Sequence, residues 1–230
     1  MKPGLPSAAW IKVIIAALAG IMLLLSTVTG DSIDKQGLRW LGAAISAITL
    51  GVLAWDRWAW RWPVIRLANR WVGPPLLHGT WHGELAYESD EQGEAGVTDF
   101  YMSVRQQFSS LSIQSYFPRT DSVSDSLTAT LSEGPQRWLL HFTYSSRAAP
   151  VNQDTNRPHE GACTLAVVGR PIADLSGSYY TDRKGRGTIR FHGHTRKLAG
   201  SLAVAKGLEY DPVPRAARDR WWRRFCAKVA

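Results

Sequence analysis

The sequence predicts a membrane-anchored all-β protein, with two N-terminal transmembrane helices followed by a small eight-stranded antiparallel up-and-down β-barrel. Three observations predict it. Val13–Gly30 and Trp40–Trp55 are apolar runs without a charged residue. A basic, tryptophan-rich linker follows, ending at Gly73-Pro74-Pro75. Beyond it, short segments alternate apolar and polar residues, and no helical pattern of about ten residues interrupts them.

The first apolar run matches the ~20 residues that cross a bilayer, and the second is slightly short. Lys2 and Lys12 before the first run are also the pattern of a signal peptide. The run exceeds most signal h-regions, however, and a second run follows closely. The loop Asp31–Arg39 leaves room only for a hairpin. Lys2 and Lys12 precede the first span, and Arg57, Arg61, Arg66 and Arg70 follow the second. The positive-inside rule then places both termini and the barrel in the cytoplasm. Trp10, Trp40, Trp55, Trp58, Trp60 and Trp62 mark the segment ends, as interfacial tryptophans do. Ala16 and Gly20, then Ala43, Ala47 and Gly51, recur four apart, a spacing that lets helices pack closely. No charge lies within either span, so an ion pathway has no support.

Three regions follow: 1–75 as the membrane region and linker, 76–208 as the barrel, and 209–230 as a basic tail. The net charge of +8 divides accordingly. Residues 1–75 carry 8 Lys/Arg against 3 Asp/Glu, residues 76–205 carry 12 against 13, and residues 206–230 carry 7 against 3. Basic excess beside the spans and in the tail suits anionic lipid. The near-neutral domain argues against double-stranded nucleic acid as a partner. Cys163 and Cys226 are the only cysteines, which is no disulfide framework and fits a reducing compartment.

Eight strands are expected near Gly79–Glu88, Thr98–Phe108, Leu111–Phe117, Asp125–Ser132, Arg137–Ser145, Gly161–Val168, Leu175–Thr181 and Gly187–Thr195. Trp138, Leu140, Phe142 and Tyr144 share one strand face, and Arg137, Leu139, His141 and Thr143 the other. Sequential strands with tight turns favour a meander, closed as a lipocalin-like barrel; an open sandwich is the competing architecture. Ser146–Glu160, with Pro150 and Pro158, is the longest connection. Arg215–Val229 reads either as a basic interfacial helix or as a frayed tail.

No metal, cofactor or enzymatic activity is expected. His192 and His194 lack a third ligand at useful spacing. Ser122, Ser124 and Ser126 lie outside any nucleophile elbow. Gly185 and Gly187 read as hairpin glycines. Polar residues at strand ends are more informative. Arg105 and Gln106, Thr120, Ser122 and Ser124, Tyr144, and Tyr179, Tyr180, Thr181 and Arg183 suit a phosphorylated, base-containing ligand. Aromatic faces stack bases, and arginine pairs with phosphate through a planar fork.

The order of parts, and the motifs LHGTWHGEL (Leu77–Leu85), SVSDS (Ser122–Ser126), LLHFTY (Leu139–Tyr144), HEGACTLAV (His159–Val167) and LSGSYYTDRKGRGTIRF (Leu175–Phe191), resemble the two-transmembrane, β-strand-rich effectors of bacterial cyclic-oligonucleotide antiphage signalling (CBASS). The resemblance runs from about Trp10 to Phe191. It implies a barrel that binds a cyclic dinucleotide made by a cognate nucleotidyltransferase. It implies an inner-membrane protein that self-associates on binding, breaches the membrane and aborts infection. Tyr180, Thr181 and Arg183 are then the expected ligand contacts, with Tyr144, His159, Gln106 and Ser124 beside them. A membrane-tethered lipocalin-like carrier of lipid or another small ligand is the alternative.

Overall fold

The computed structural model describes residues 19–20, 35–62, 74–89, 95–135, 137–148, 157–183 and 185–213. The chain divides into two compact units, Met1–Trp71 with Gln107–Ser109, and Val72–Gln106 with Ser110–Ala230.

In the first unit, helix α1 spans Lys35–Arg57 and a 3-10 turn follows at Ala59–Arg61. The helix overruns the expected Trp40–Trp55 at both ends. Asp56 clasps the segment 107–109: its carbonyl accepts from Phe108 N at 3.0 Å and its carboxylate from Ser109 N at 2.8 Å. The Phe108 ring meets Trp55 and Trp60 edge-on, each at 6.0 Å between centroids. Among the described residues, no helix is long and apolar enough to cross a membrane. Most of Val13–Gly30, with Ala16, lies outside the described residues, as does the tail from Arg215.

The second unit is the barrel. Its strands are β1 (Gly79–Ser89), β2 (Gly96–Gln106), β3 (Leu111–Phe117), β4 (Ser122–Glu133), β5 (Trp138–Ala148), β6 (His159–Val168), β7 (Asp174–Thr181) and β8 (Arg186–Thr195). Each pairs antiparallel with the next, and β1 pairs with β8 to close the ring. All eight expected strands form. β2 stops at Gln106 instead of Phe108, because the Phe108 and Ser109 amides bond to Asp56 instead of extending the ladder. β4 starts three residues early, at Ser122, because Ser122–Asp125 pair with β3 and β5 on both sides. The tight turn before it uses Asp121 at φ 45°. β5 runs on to Ala148, so the long connection is shorter than Ser146–Glu160.

Alternation sends Trp81 and Leu85, Phe100, Met102 and Val104, Ile113, Leu140, Phe142, Leu165 and Val167, Leu175, and Ile189 and Phe191 into one core. Their side chains fill the interior, as small eight-stranded barrels allow. Trp81 is anchored by Nε1 donating to the Leu77 carbonyl at 2.8 Å.

After β8 the chain straps the outer face. The Thr80 and Ser103 hydroxyls lie 3.0 Å apart, and Ser103 and Tyr116 both donate to the Ala199 carbonyl. Helix α2 (Leu202–Lys206) is N-capped by Ser201. Strand β9 (Asp211–Pro212) pairs with β8, and Val213 reaches the core. The barrel's contacts therefore continue past residue 208, where the sequence pattern closes the domain.

His194 packs on Trp81 with centroids 4.2 Å apart, and its Nε2 lies 3.2 Å from the His78 carbonyl. Burial holds its pKa below the ordinary 6.5, assisted by Arg196 and opposed by the His78 contact and Asp211. The unfolded chain takes a proton near 6.5, whereas the folded chain resists it. This contribution to stability is therefore present above that pH and is lost as pH falls. We expect the melting temperature to drop between pH 7.5 and 5, and to drop less in His194→Gln.

Candidate ligand-binding site

Register fixes which strand ends meet. The ends of β1, β3, β5 and β7 and the starts of β2, β4, β6 and β8 surround one mouth. Just inside it a cleft is lined by Leu85, Phe100, Ser115, Phe117, Ser124, Phe142, Tyr144, Cys163, Tyr179 and Ile189. Its cavity volume is about 10 Å3, room for about one water molecule. The lumen thus offers a shallow floor.

One wall of that floor is polar. Ser115 pairs with Ser124 across β3–β4, Ser124 with Ser146 across β4–β5, and Ser146 with His159 across β5–β6. Ser115, Ser124 and Ser146 are all buried. The Ser124 hydroxyl is buried with no hydrogen-bond partner among the described residues. An unmatched buried hydroxyl costs about 1–3 kcal/mol. Its place in the cleft lining makes it a waiting donor or acceptor.

The aromatic wall comes from Tyr144 and Tyr179. Tyr144 lies against Gly161 on β6, where a Cβ would sit 2.5 Å from its Cζ. Tyr179 lies against Gly187 on β8, where a Cβ would sit 2.8 Å from its Cε1. Burial pushes both hydroxyls well above the ordinary phenol value, with smaller contributions from neighbouring titratable groups such as Cys163. They stay protonated and can donate. Burial pushes the Cys163 thiol up too, so it offers no thiolate nucleophile.

The mouth brings together five of the seven residues expected at the site. Tyr144 and Ser124 line the cleft. His159 opens β6, with Nδ1 3.1 Å from the Arg157 carbonyl. Thr181 ends β7, its hydroxyl tied to Gly185 N and O. Arg183 sits in the β7–β8 turn, where Nη2 donates to the Pro158 carbonyl at 3.3 Å. Two residues are placed otherwise. Tyr180 is at the same end, but alternation turns it outward and leaves it 65% exposed. Gln106 is at the opposite end, because it closes β2 beside the start of β1. Its Oε1 accepts from Leu77 N at 2.7 Å and its Nε2 donates to the Pro75 carbonyl at 3.1 Å. Gln106 is a buried fastener for the chain entering β1. Arg105 also faces outward, being exposed between buried Val104 and Gln106.

Sequence reasoning missed Ser115 and Ser146. Their signal was available as parity with Phe117 and Tyr144, their neighbours two residues away. Among the described residues no group of three metal-type side chains occurs.

A closed barrel with a filled core and one polar, aromatic mouth defines a small-ligand receptor module. The chain belongs to the family of the Cap15 cyclic dinucleotide receptor domain, whose model matches residues 72–193. This is the CBASS effector family that the sequence motifs resemble. No curated protein matches the chain.

Two substitutions separate the ends of the barrel. Gln106→Ala should lose about 1–3 kcal/mol for each backbone group left unpaired while preserving the mouth. Ser124→Ala should leave stability unchanged or raise it, since it removes a hydroxyl without a partner. Denaturant titration of both variants checks this.

Proposed function

We propose that the mouth binds a cyclic dinucleotide made by a cognate nucleotidyltransferase. The observation that carries this reading is the buried, unpartnered Ser124 hydroxyl, which lines the same cleft as Tyr144 and Tyr179. Bases stack on the tyrosines, the serine row meets base edges, and Arg183 meets phosphate. The nucleotide lies across the mouth, since the core below is filled. A lipid carrier would need an open apolar lumen, and the packed core disfavours it.

In this reading residues 1–75 tether the receptor to the bacterial inner membrane with both termini in the cytoplasm. Ligand binding drives self-association of the spans, which disrupts the membrane and aborts infection. A ligand shifts assembly only by binding the assembled state better. Support comes from the uncharged runs, the basic flanks, and a helix α1 that leaves Leu50 67% and Leu53 49% exposed. A Cβ at Gly51 would meet nothing within 4 Å, so the helix is open to a neighbour at Gly51.

Full-length protein in detergent should be stabilised by one member of a cyclic di- and trinucleotide panel. The gain is about 2.7 kcal/mol at 100 times the Kd. Arg183→Ala should abolish the shift and keep the fold; a wild-type shift would remove Arg183 from the site. Replacing Ala47 and Gly51 together by leucine should stop killing during infection and leave the nucleotide shift intact. Undiminished killing would reject the packing stripe.

A further inference from the structure

β4 outruns its neighbour on one side. It pairs with β5 from Ser122 to Glu133, but with β3 only from Ser122 to Asp125. At Ser126 a side chain replaces the ladder, its hydroxyl accepting from Ile113 N at 2.9 Å. The register with β5 then shifts between Ser126 and Thr128, leaving Leu127 58% exposed. Beyond that shift, Thr128–Glu133 pair residue for residue with Thr143–Trp138. Among the described residues, no strand pairs with the other edge of this stretch. An open edge presents N–H and C=O groups that water or another extended chain must satisfy. Such edges are usually guarded by charge or by proline. Ser126–Ser132 contains neither. Thr128, Thr130 and Ser132 stand exposed, whereas Ala129 and Leu131 pack toward the core.

The stretch is complementary to itself. Turned antiparallel about Thr130, a second copy sets Thr130 opposite Thr130, Thr128 opposite Ser132 and Ala129 opposite Leu131. Hydroxyls then meet hydroxyls on the outer face, and apolar side chains meet on the inner one, pairings that stabilise sheets. Charge is compatible too. The Glu133 carboxylates fall at opposite ends of the pair, about 20 Å apart at strand spacing, so no carboxylate faces another.

We propose that the Thr128–Ser132 edge of β4 pairs antiparallel with the same edge of a second copy of this chain, joining two barrels across a two-fold axis at Thr130. The contact is small, so it suits copies already held at high local concentration by another tie. It goes beyond the ligand reading and needs no nucleotide.

The test uses full-length protein in detergent, in a Cys226→Ser background that leaves the buried Cys163 as the native thiol. Each variant is checked for folding by thermal melting. Thr130→Cys should give disulfide-linked dimers on mild oxidation, since facing residues of an antiparallel pair lie about 4.5–5.5 Å apart at Cα, within disulfide reach. Ser178→Cys, exposed on β7, should not. Should Thr130→Cys fail to fold, a mixture of Thr128→Cys and Ser132→Cys chains tests the same register. In the Thr130→Cys chain, adding Thr128→Lys and Ser132→Lys sets lysine against lysine and should cut the dimer yield about fivefold. Thr128→Lys with Ser132→Glu sets opposite charges face to face and should restore it. A folded Thr130→Cys that cross-links no better than Ser178→Cys would overturn the pairing with a second copy and leave the edge to a different extended chain. Equal yields from the two charge pairs would also overturn it. The nucleotide-induced shift, read in the same samples, reports on the mouth separately: its absence would count against the ligand reading and leave the edge standing.

Discussion

Closure of β1 onto β8 is the constraint on which the rest of the barrel depends. Thr80–Ser89 pair with Thr195–Arg186 through two register shifts, one between His82 and Gly83. Without this seam, β1 and β8 would present unpaired edges and the inward residues would have no opposite wall. With it, alternation alone divides every strand into a core side and an outer side. Antiparallel order then divides the turns between two ends. The mouth exists because closure collects the ends of four odd strands and the starts of four even ones around a single axis.

The filled core has a functional consequence. Trp81, Phe100, Met102, Leu140, Leu165 and Phe191 occupy the interior, which is why the proposed ligand site is at the rim. There the side chains change character, with serines on the β3–β5 wall and tyrosines on the β5–β7 wall. Each tyrosine is seated on a glycine of the neighbouring strand: Tyr144 on Gly161, Tyr179 on Gly187 and Tyr87 on Gly96. A glycine weakens a strand when nothing fills its place. Here an aromatic ring from across the ladder fills it, so the same contact stabilises the sheet and orients the ring.

The opposite end is built for fastening. Gln106 ties down the incoming chain at Leu77 and Pro75, and Trp81 bonds back to Leu77. Within the helical unit, Asp56, Trp55 and Trp60 hold the segment 107–109. Outside the ring, the strap from Ala199 to Val213 satisfies the Thr80, Ser103 and Tyr116 hydroxyls. One end and one outer face thus carry structural polar groups, and the buried Ser124 hydroxyl at the mouth stands apart from them.

Period-two patterning determined the eight strands, their sequential order and most of the core, because alternation is a local signal that survives without knowledge of partners. Motif resemblance determined the family for the same reason: LSGSYYTDRKGRGTIRF is a contiguous string. The sequence alone did not decide which polar strand-end residues share a site. Gln106 and Ser124 look equivalent in the chain, yet register puts them at opposite ends. Tyr179 and Tyr180 are adjacent, yet one step of the pleat sends one in and the other out. Ser122 and Ser124 carry no hydrophobic signal and became strand residues only through pairing with β3 and β5. That the Tyr87 ring lies against Gly96 likewise shows only in the folded chain. These choices depend on contacts between residues far apart in the chain, so only the tertiary structure could make them.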